Sequence, residues 1–446
     1  MAITINQQPE DVVFYNQLLY YRCSSTNTAQ PNFRYIVKVT IDGETVETHH
    51  EPNMQNRLIY DLYPTARHYV GYDINDYNTT DSIHSIPNGV VNRSFSQAEA
   101  SCKKALVEFE EGWDVAGVFT NQGATQSHTI YLTNGSQEVS LGDSFNRLQD
   151  NTTGIGHYPM TGNFGWLSDY RYDTWKPSEG SFGYGFASNV FIPVQESDWG
   201  VVTFYHDQAT TIIASESVEI QYNLYEEDGT QIGSTETRTI NSTYGGTSGT
   251  STAQEDKVLH LGCYPKNISE TAAFWTNHPD SANDWKYYTI RIHDAGGVFC
   301  SAPLIFVKQC ETERKARIGW WGQSGGWEYF NFTAKDEKSI TARSKTIHKP
   351  IGSWQGTSMK WNTHDRGETE FSRVTKKFLD VDSDWISAGQ LEYLEGLIRS
   401  KEVFLINDDG SQTPLILETN SHTLKDGKEA EVYNASFKFR YAQPRR

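Results

Sequence analysis

Cysteine, long apolar runs and clustered positive charge are all scarce in this chain, and each shortage excludes something. The five cysteines, Cys23, Cys102, Cys263, Cys300 and Cys310, form an odd, scattered set without a C-x-x-C pair. A disulfide framework and a zinc site both lack the required spacing, so free thiols in a chain made in a reducing cytoplasm are expected; a Cys300–Cys310 pair stays open. No run approaches the roughly 18 apolar residues that cross a bilayer, and membrane insertion is not expected. Lysine and arginine total 38 against 56 acids, a formal net charge of −18. Nucleic acid and anionic membranes reward clustered cations, so neither is expected as a main partner. Met1–Gln17 lacks both the basic and the apolar stretch of a secretory signal, and none is expected.

Catalytic signatures are equally scarce. There is no HExxH, GxSxG, Walker A or GxGxxG pattern, and among 13 scattered histidines only His49 and His50 adjoin. Two carboxylate groups invite a closer look. Asp380, Asp382 and Asp384 stand at alternate positions like the first ligands of a calcium loop. The sixth loop position is Trp385 instead of Gly and the twelfth Leu391 instead of Glu, so solvated acids before a helix N-terminus are the plainer reading. Glu108, Glu110 and Glu111 share a strand with Ala105, Val107 and Phe109, but no pattern marks the second acid that a glycosidase needs. The expectation is a protein without catalytic residues, metal or cofactor.

What is abundant is alternation punctuated by tight turns. In Phe33–Val46 the apolar set Tyr35, Val37, Val39 and Ile41 lies on one face before Asp42-Gly43. Such dipeptides suit type I′ turns, whose central residues both take positive φ. The arrangement recurs around Asn134-Gly135, Asp228-Gly229, Asp409-Gly410 and Asp426-Gly427. The chain therefore reads as mostly β, with fibronectin III- or immunoglobulin-like sandwiches. The expected division is a sandwich over 1–120, an irregular aromatic and Gly-rich β region over 121–210, a second sandwich over 211–310, and a C-terminal β domain over 311–446. One helix is expected, over 388–399. Ser387 and Gln390 make a capping box, and Leu391, Leu394, Leu397 and Ile398 follow at helical spacing. Charge divides unevenly: residues 1–310 hold 17 bases against 36 acids, and residues 311–446 hold 21 against 20.

Aromatics supply the functional lead. Trp166, Tyr170, Tyr172 and Trp175 crowd one Gly- and Asp-rich segment. Flat rings beside carboxylates suit sugar stacking, a wet protein interface, or simply a core.

A family resemblance enters through the C-terminal sequence. Ile318–Lys349 reads IGWWGQSGGWEYFNFTAKDEKSITARSKTIHK, Arg366–Phe378 reads RGETEFSRVTKKF, and Ser383–Ile406 reads SDWISAGQLEYLEGLIRSKEVFLI. This succession, with the opening Ser24–Val46, resembles tail- and baseplate-type virion proteins of tailed bacteriophages from marine and Bacteroidetes-type hosts, and is weakest over Gly154–Thr252. The resemblance implies a structural, homo-oligomeric virion component made in the host cytoplasm. Its partners would be its own copies and other virion proteins. It also implies assembly through the C-terminal domain by strand and hairpin addition, with Trp320, Trp321, Trp327 and Trp385 as the candidate surface. Three alternatives stand beside it. The first is a receptor-binding adhesin that takes host glycan at Trp166, Tyr170, Tyr172 and Trp175. The others are a head or neck decoration protein and a glycan-degrading enzyme.

Overall fold

The structure, a computed structural model, describes residues 3–9, 12–17, 19–76, 81–86, 95–123, 125–135, 164–168, 190–206, 218–226, 229–240, 258–269, 285–293, 304–312, 315–355, 358–360, 362–418 and 433–442. It is mostly β, with several multi-stranded sheets and few helices.

The N-terminal part comprises β1 (Ile3–Gln7), β2 (Val12–Phe14), β3 (Tyr20–Ser25), β4 (Arg34–Ile41), β5 (Glu44–His50), β6 (Arg57–Asp61), the short α1 (Tyr63–Ala66), β7 (Phe95–Gln97), β8 (Cys102–Val115), β9 (Val118–Asn121) and β10 (Gln126–Thr133). Two sheets, β1-β3-β6 and β2-β10-β8-β4-β5, enclose a core of Tyr21, Cys23, Tyr35, Val37, Val39, Phe109 and Ile130. The alternation in β4 places its predicted apolar face inward. Asp42 and Gly43 take φ of 52° and 80°, which closes the β4–β5 hairpin as the dipeptide requires.

Asn134-Gly135 behaves otherwise. Gly135 does not have positive φ, and a Cβ on it would lie 2.3 Å from the Phe14 ring. Asn134 is buried, donates its backbone N–H to the Ser101 carbonyl and accepts the Trp321 indole N–H on its own carbonyl. Asn134-Gly135 is a junction between two parts of the chain, where glycine is needed for close approach, and the expected return strand to Val139 lies outside the described residues.

The middle part contains β11 (Phe164–Leu167), β12 (Val190–Val194), β13 (Val201–His206), β14 (Val218–Tyr225), β15 (Gln231–Ile240), β16 (Val258–Gly262), α2 (Pro265–Ser269), β17 (Tyr287–His293) and β18 (Leu304–Lys308). Its sheets run β11-β13-β16-β7 and β12-β18-β17-β14-β15. The expected boundary at 210/211 is corrected here. Strands β13 and β16 lie on either side of it yet pair directly, and β12 runs parallel to β18 across it. The 1–120 segment also donates β7 to this sandwich. The sequence pattern hides this for a physical reason. Val201, Val202, Thr203 and Phe204 are all buried, so β13 has two inward faces and no alternation.

The C-terminal part has β19 (Ala316–Trp321), β20 (Trp327–Phe332), β21 (Lys335–His348), β22 (Ser353–Gln355), β23 (Ser358–Lys360), β24 (Glu368–Asp382), α3 (Ala388–Arg399), β25 (Val403–Ile406), β26 (Gln412–Leu417) and β27 (Ser436–Tyr441). An antiparallel sheet of order β20-β19-β25-β26-β27-β24-β21 carries α3. The helix has the predicted bounds. Ser387 Oγ accepts the Gln390 N–H at 3.2 Å, and Gln390 Oε1 accepts the Ser387 N–H at 3.1 Å. One apolar core runs without interruption from the middle sandwich into this sheet, through Trp199, Phe204, Leu261, Trp327, Phe404 and Phe439. The turn Asp409-Gly410 sits against that joint. Gly410 has φ of +79°, and a Cβ there would come within 2.7 Å of Ser85 and 3.2 Å of the Trp199 ring.

Candidate functional site

Three of the four tryptophans expected on an assembly surface are core residues. Trp320, Trp321 and Trp327 are 0%, 5% and 2% exposed. Trp321 donates its indole N–H to the Asn134 carbonyl at 3.1 Å, and Trp327 donates to Asp73 at 2.9 Å. Trp199, which the sequence did not single out, donates to Asp408 at 2.9 Å. An indole in a closed core favours an acceptor, and Trp321, Trp327 and Trp199 find one on a distant segment, while the buried Trp320 N–H has none among the described residues. Trp385 alone is exposed, at 71%. Of the proposed glycan aromatics, Trp166 lies on β11 with its side chain outside the described residues. Tyr170, Tyr172 and Trp175 lie outside them altogether.

Around these tryptophans is a buried polar network. The Arg317 guanidinium lies 4.7 Å from both the Tyr264 and Tyr329 rings and donates to the Trp199 carbonyl at 2.7 Å. It meets Asp198 at 3.1 Å, and Asp198 also takes Lys315 at 2.7 Å and the Asn331 amide at 2.7 Å. Burial opposes ionisation of Asp198, but Arg317 and Lys315 outweigh it and hold the carboxyl below its usual range.

A second constellation looks catalytic at first. Thr203 Oγ1 lies 2.9 Å from His260 Nδ1, and His260 Nε2 lies 3.0 Å from Asp73 Oδ2. These residues come from β13, β16 and the segment after α1, so no motif could have revealed them. The hydroxyl is fully buried, and Asp73 is engaged by the N–H groups of Ala100 and Ser101. His260 is equally buried, and the trio joins three segments. The acids of β8 likewise have partners within the fold. Glu111 accepts from Ser25 and Asn27, while Glu110 takes Lys38 and Asn121. Asp380 faces Lys438 at 3.5 Å from within β24. A cleft of about 120 Å³ beside Tyr15, Tyr72, Trp321 and Arg399 is smaller than the ~300–1,000 Å³ typical of small-molecule sites.

The outstanding surface feature is the β21–β24 ribbon. Its register runs unbroken from Lys335↔Asp382 to Lys345↔Ser372 and, past a bulge at Phe371, to His348↔Glu368. Only its root is supported, because β27 pairs with Phe378–Asp382 and goes no further. Beyond Ser339 no other described strand pairs with these two for nine residues, about 30 Å at ~3.3 Å per residue. Directly paired residues share a face, and both faces carry apolar groups: Ile340 on one, Val374 and Ile347 on the other. Ile340, Phe371 and Val374 are 66%, 59% and 58% exposed, and Ile351 and Met359 extend the exposure to the tip. Between Ile340 and Lys377 lie eight lysines and arginines against three acids, so this arm is basic on an acidic protein.

No family profile matches the sequence, and no curated protein does. Among solved structures, the native conformation of E. coli alpha-2-macroglobulin shows a TM-score of 0.18 and 7% identity. The alignment covers 87% of this chain and 22% of that one, and a likeness of that degree carries no argument.

Proposed function

We propose that this chain is a non-enzymatic structural subunit of a phage virion, in the tail or baseplate, built into a multi-copy assembly through its C-terminal domain. The observation that carries the assembly reading is the uncovered ribbon. A two-stranded hairpin is marginal in water by itself, and this one exposes apolar side chains on both faces with no core beneath it. Covering those faces with another protein surface removes both defects. The virion assignment draws its support from the resemblance of Ile318–Lys349, Arg366–Phe378 and Ser383–Ile406 to tail and baseplate components.

The test compares the full chain with one in which residues 341–376 are replaced by Asn-Gly, a turn that closes the root hairpin. Light scattering and negative-stain images should show a closed ring or other defined oligomer for the full chain and a folded monomer for the shortened one. A monomeric full chain, or a shortened chain that assembles equally well, overturns the proposal.

A further inference from the structure

Among the sheet edges that no described strand covers, two carry opposite charge. One is β21, the last strand of the C-terminal sheet; the other is β5, the last strand of the larger N-terminal sheet. From Lys338 to His348 the β21 edge holds Lys338, Arg343 and Lys345 and no acid. Asp42–Glu51, which contains β5, holds Asp42, Glu44, Glu47 and Glu51 and no lysine or arginine. All seven charged side chains are exposed, as are Ile340 and Ile347 on β21 and Val46 on β5.

We infer that the outer edge of β21 in one copy pairs with the outer edge of β5 in the next, by strand addition. This rests on the assembly reading above and names its partner surface. An open edge presents a row of unpaired N–H and C=O groups ready for another strand. Charge decides which strand is admitted. Two β21 edges repel each other, as do two β5 edges, while β21 against β5 is complementary. β24 is the weaker candidate for the arm's contact, because Glu368 and Glu370 offset two of its three bases, Arg373, Lys376 and Lys377. The β5 acids do have partners on their own sheet: Arg34 to Glu51, Lys38 to Glu47 and Lys103 to Asp42. These are exposed pairs, which contribute little in water and yield to a competing cation. Pairing of unlike edges is heterologous, so repetition closes a ring when the rotation permits and otherwise extends a filament.

Zero-length carbodiimide coupling of mixed isotopically light and heavy full-length chains tests the contact. Inter-chain peptides should join Lys338 or Lys345 to Glu44, Glu47 or Glu51. Two triple variants test the charge logic. K338E/R343E/K345E and E44K/E47K/E51K should each lose assembly by about tenfold or more, with unchanged circular dichroism and melting. Mixing them should restore it, since each then offers the other a complementary edge. Couplings from the arm to other acids, or no rescue on mixing, overturn the pairing. If both variants assemble like the parent while the shortened chain stays monomeric, the pairing is wrong and the assembly reading stands. A parent chain that does not assemble overturns both.

Discussion

Trp199, Trp321 and Trp327 each fill core volume with a ring and satisfy a main-chain carbonyl from another part of the chain with an N–H. Trp327→Phe would retain most of the apolar area but leave the Asp73 carbonyl without its donor. A loss of about 1–3 kcal/mol is expected, read as a lower urea midpoint. His84 sets a pH dependence. It is fully buried, contacts Tyr329 Oη at 2.6 Å, and burial, with the charge of Arg317 adding, presses its imidazole pKa down to about 3. In the unfolded chain that pKa is ~6.5. Between these values the unfolded state binds a proton that the folded state refuses. Stability from this group is thus complete above about pH 6.5 and lost as pH falls toward 3. Unfolding free energy should drop by about 2 kcal/mol from this group between pH 7 and pH 5. His84→Asn should flatten that slope, whatever its absolute stability. Asp198 acts lower on the scale, because its depressed pKa holds stability that is lost only as pH falls below the ordinary carboxylate range.

Elements differ in how openly the sequence declares them. Helix α3 is declared at both ends, by its capping box and by Leu391, Leu394 and Leu397 buried on one face. Ser387→Ala should cost about 1 kcal/mol, since the Gln390 N–H loses its acceptor; a chemical unfolding midpoint would show it. The β4–β5 and β25–β26 hairpins are equally legible, because Asp42-Gly43 and Asp409-Gly410 encode their own backbone angles. The ribbon is nearly silent. With nothing beneath it, β21 and β24 have no inward face and no hydrophobic alternation beyond the root. Strand β13 is silent for the opposite reason, being buried on both faces.

At the scale of the molecule, an acidic body bearing a basic, partly apolar arm should associate in a salt-sensitive way. Exposed charges are screened within about 10 Å at 0.1 M salt and about 3 Å at 1 M. The assembled fraction measured by light scattering should therefore fall as sodium chloride is raised, while the chain that lacks residues 341–376 should be monomeric at every salt concentration. The sequence by itself determined the β class, the hairpins whose turn residues carry positive φ, the capped helix, and the segregation of acid into the first 310 residues. Each of these depends on residues a few positions apart, or on composition. Only the tertiary structure decided that Trp320, Trp321 and Trp327 face inward, that β7, β13 and β16 share a sheet, and that Asp73, Thr203 and His260 meet. It likewise decided that no described strand covers the basic edge or the acidic edge. Those facts depend on which distant segment fills the space beside each residue. A local pattern records that a side chain is apolar or charged, but not what stands across from it.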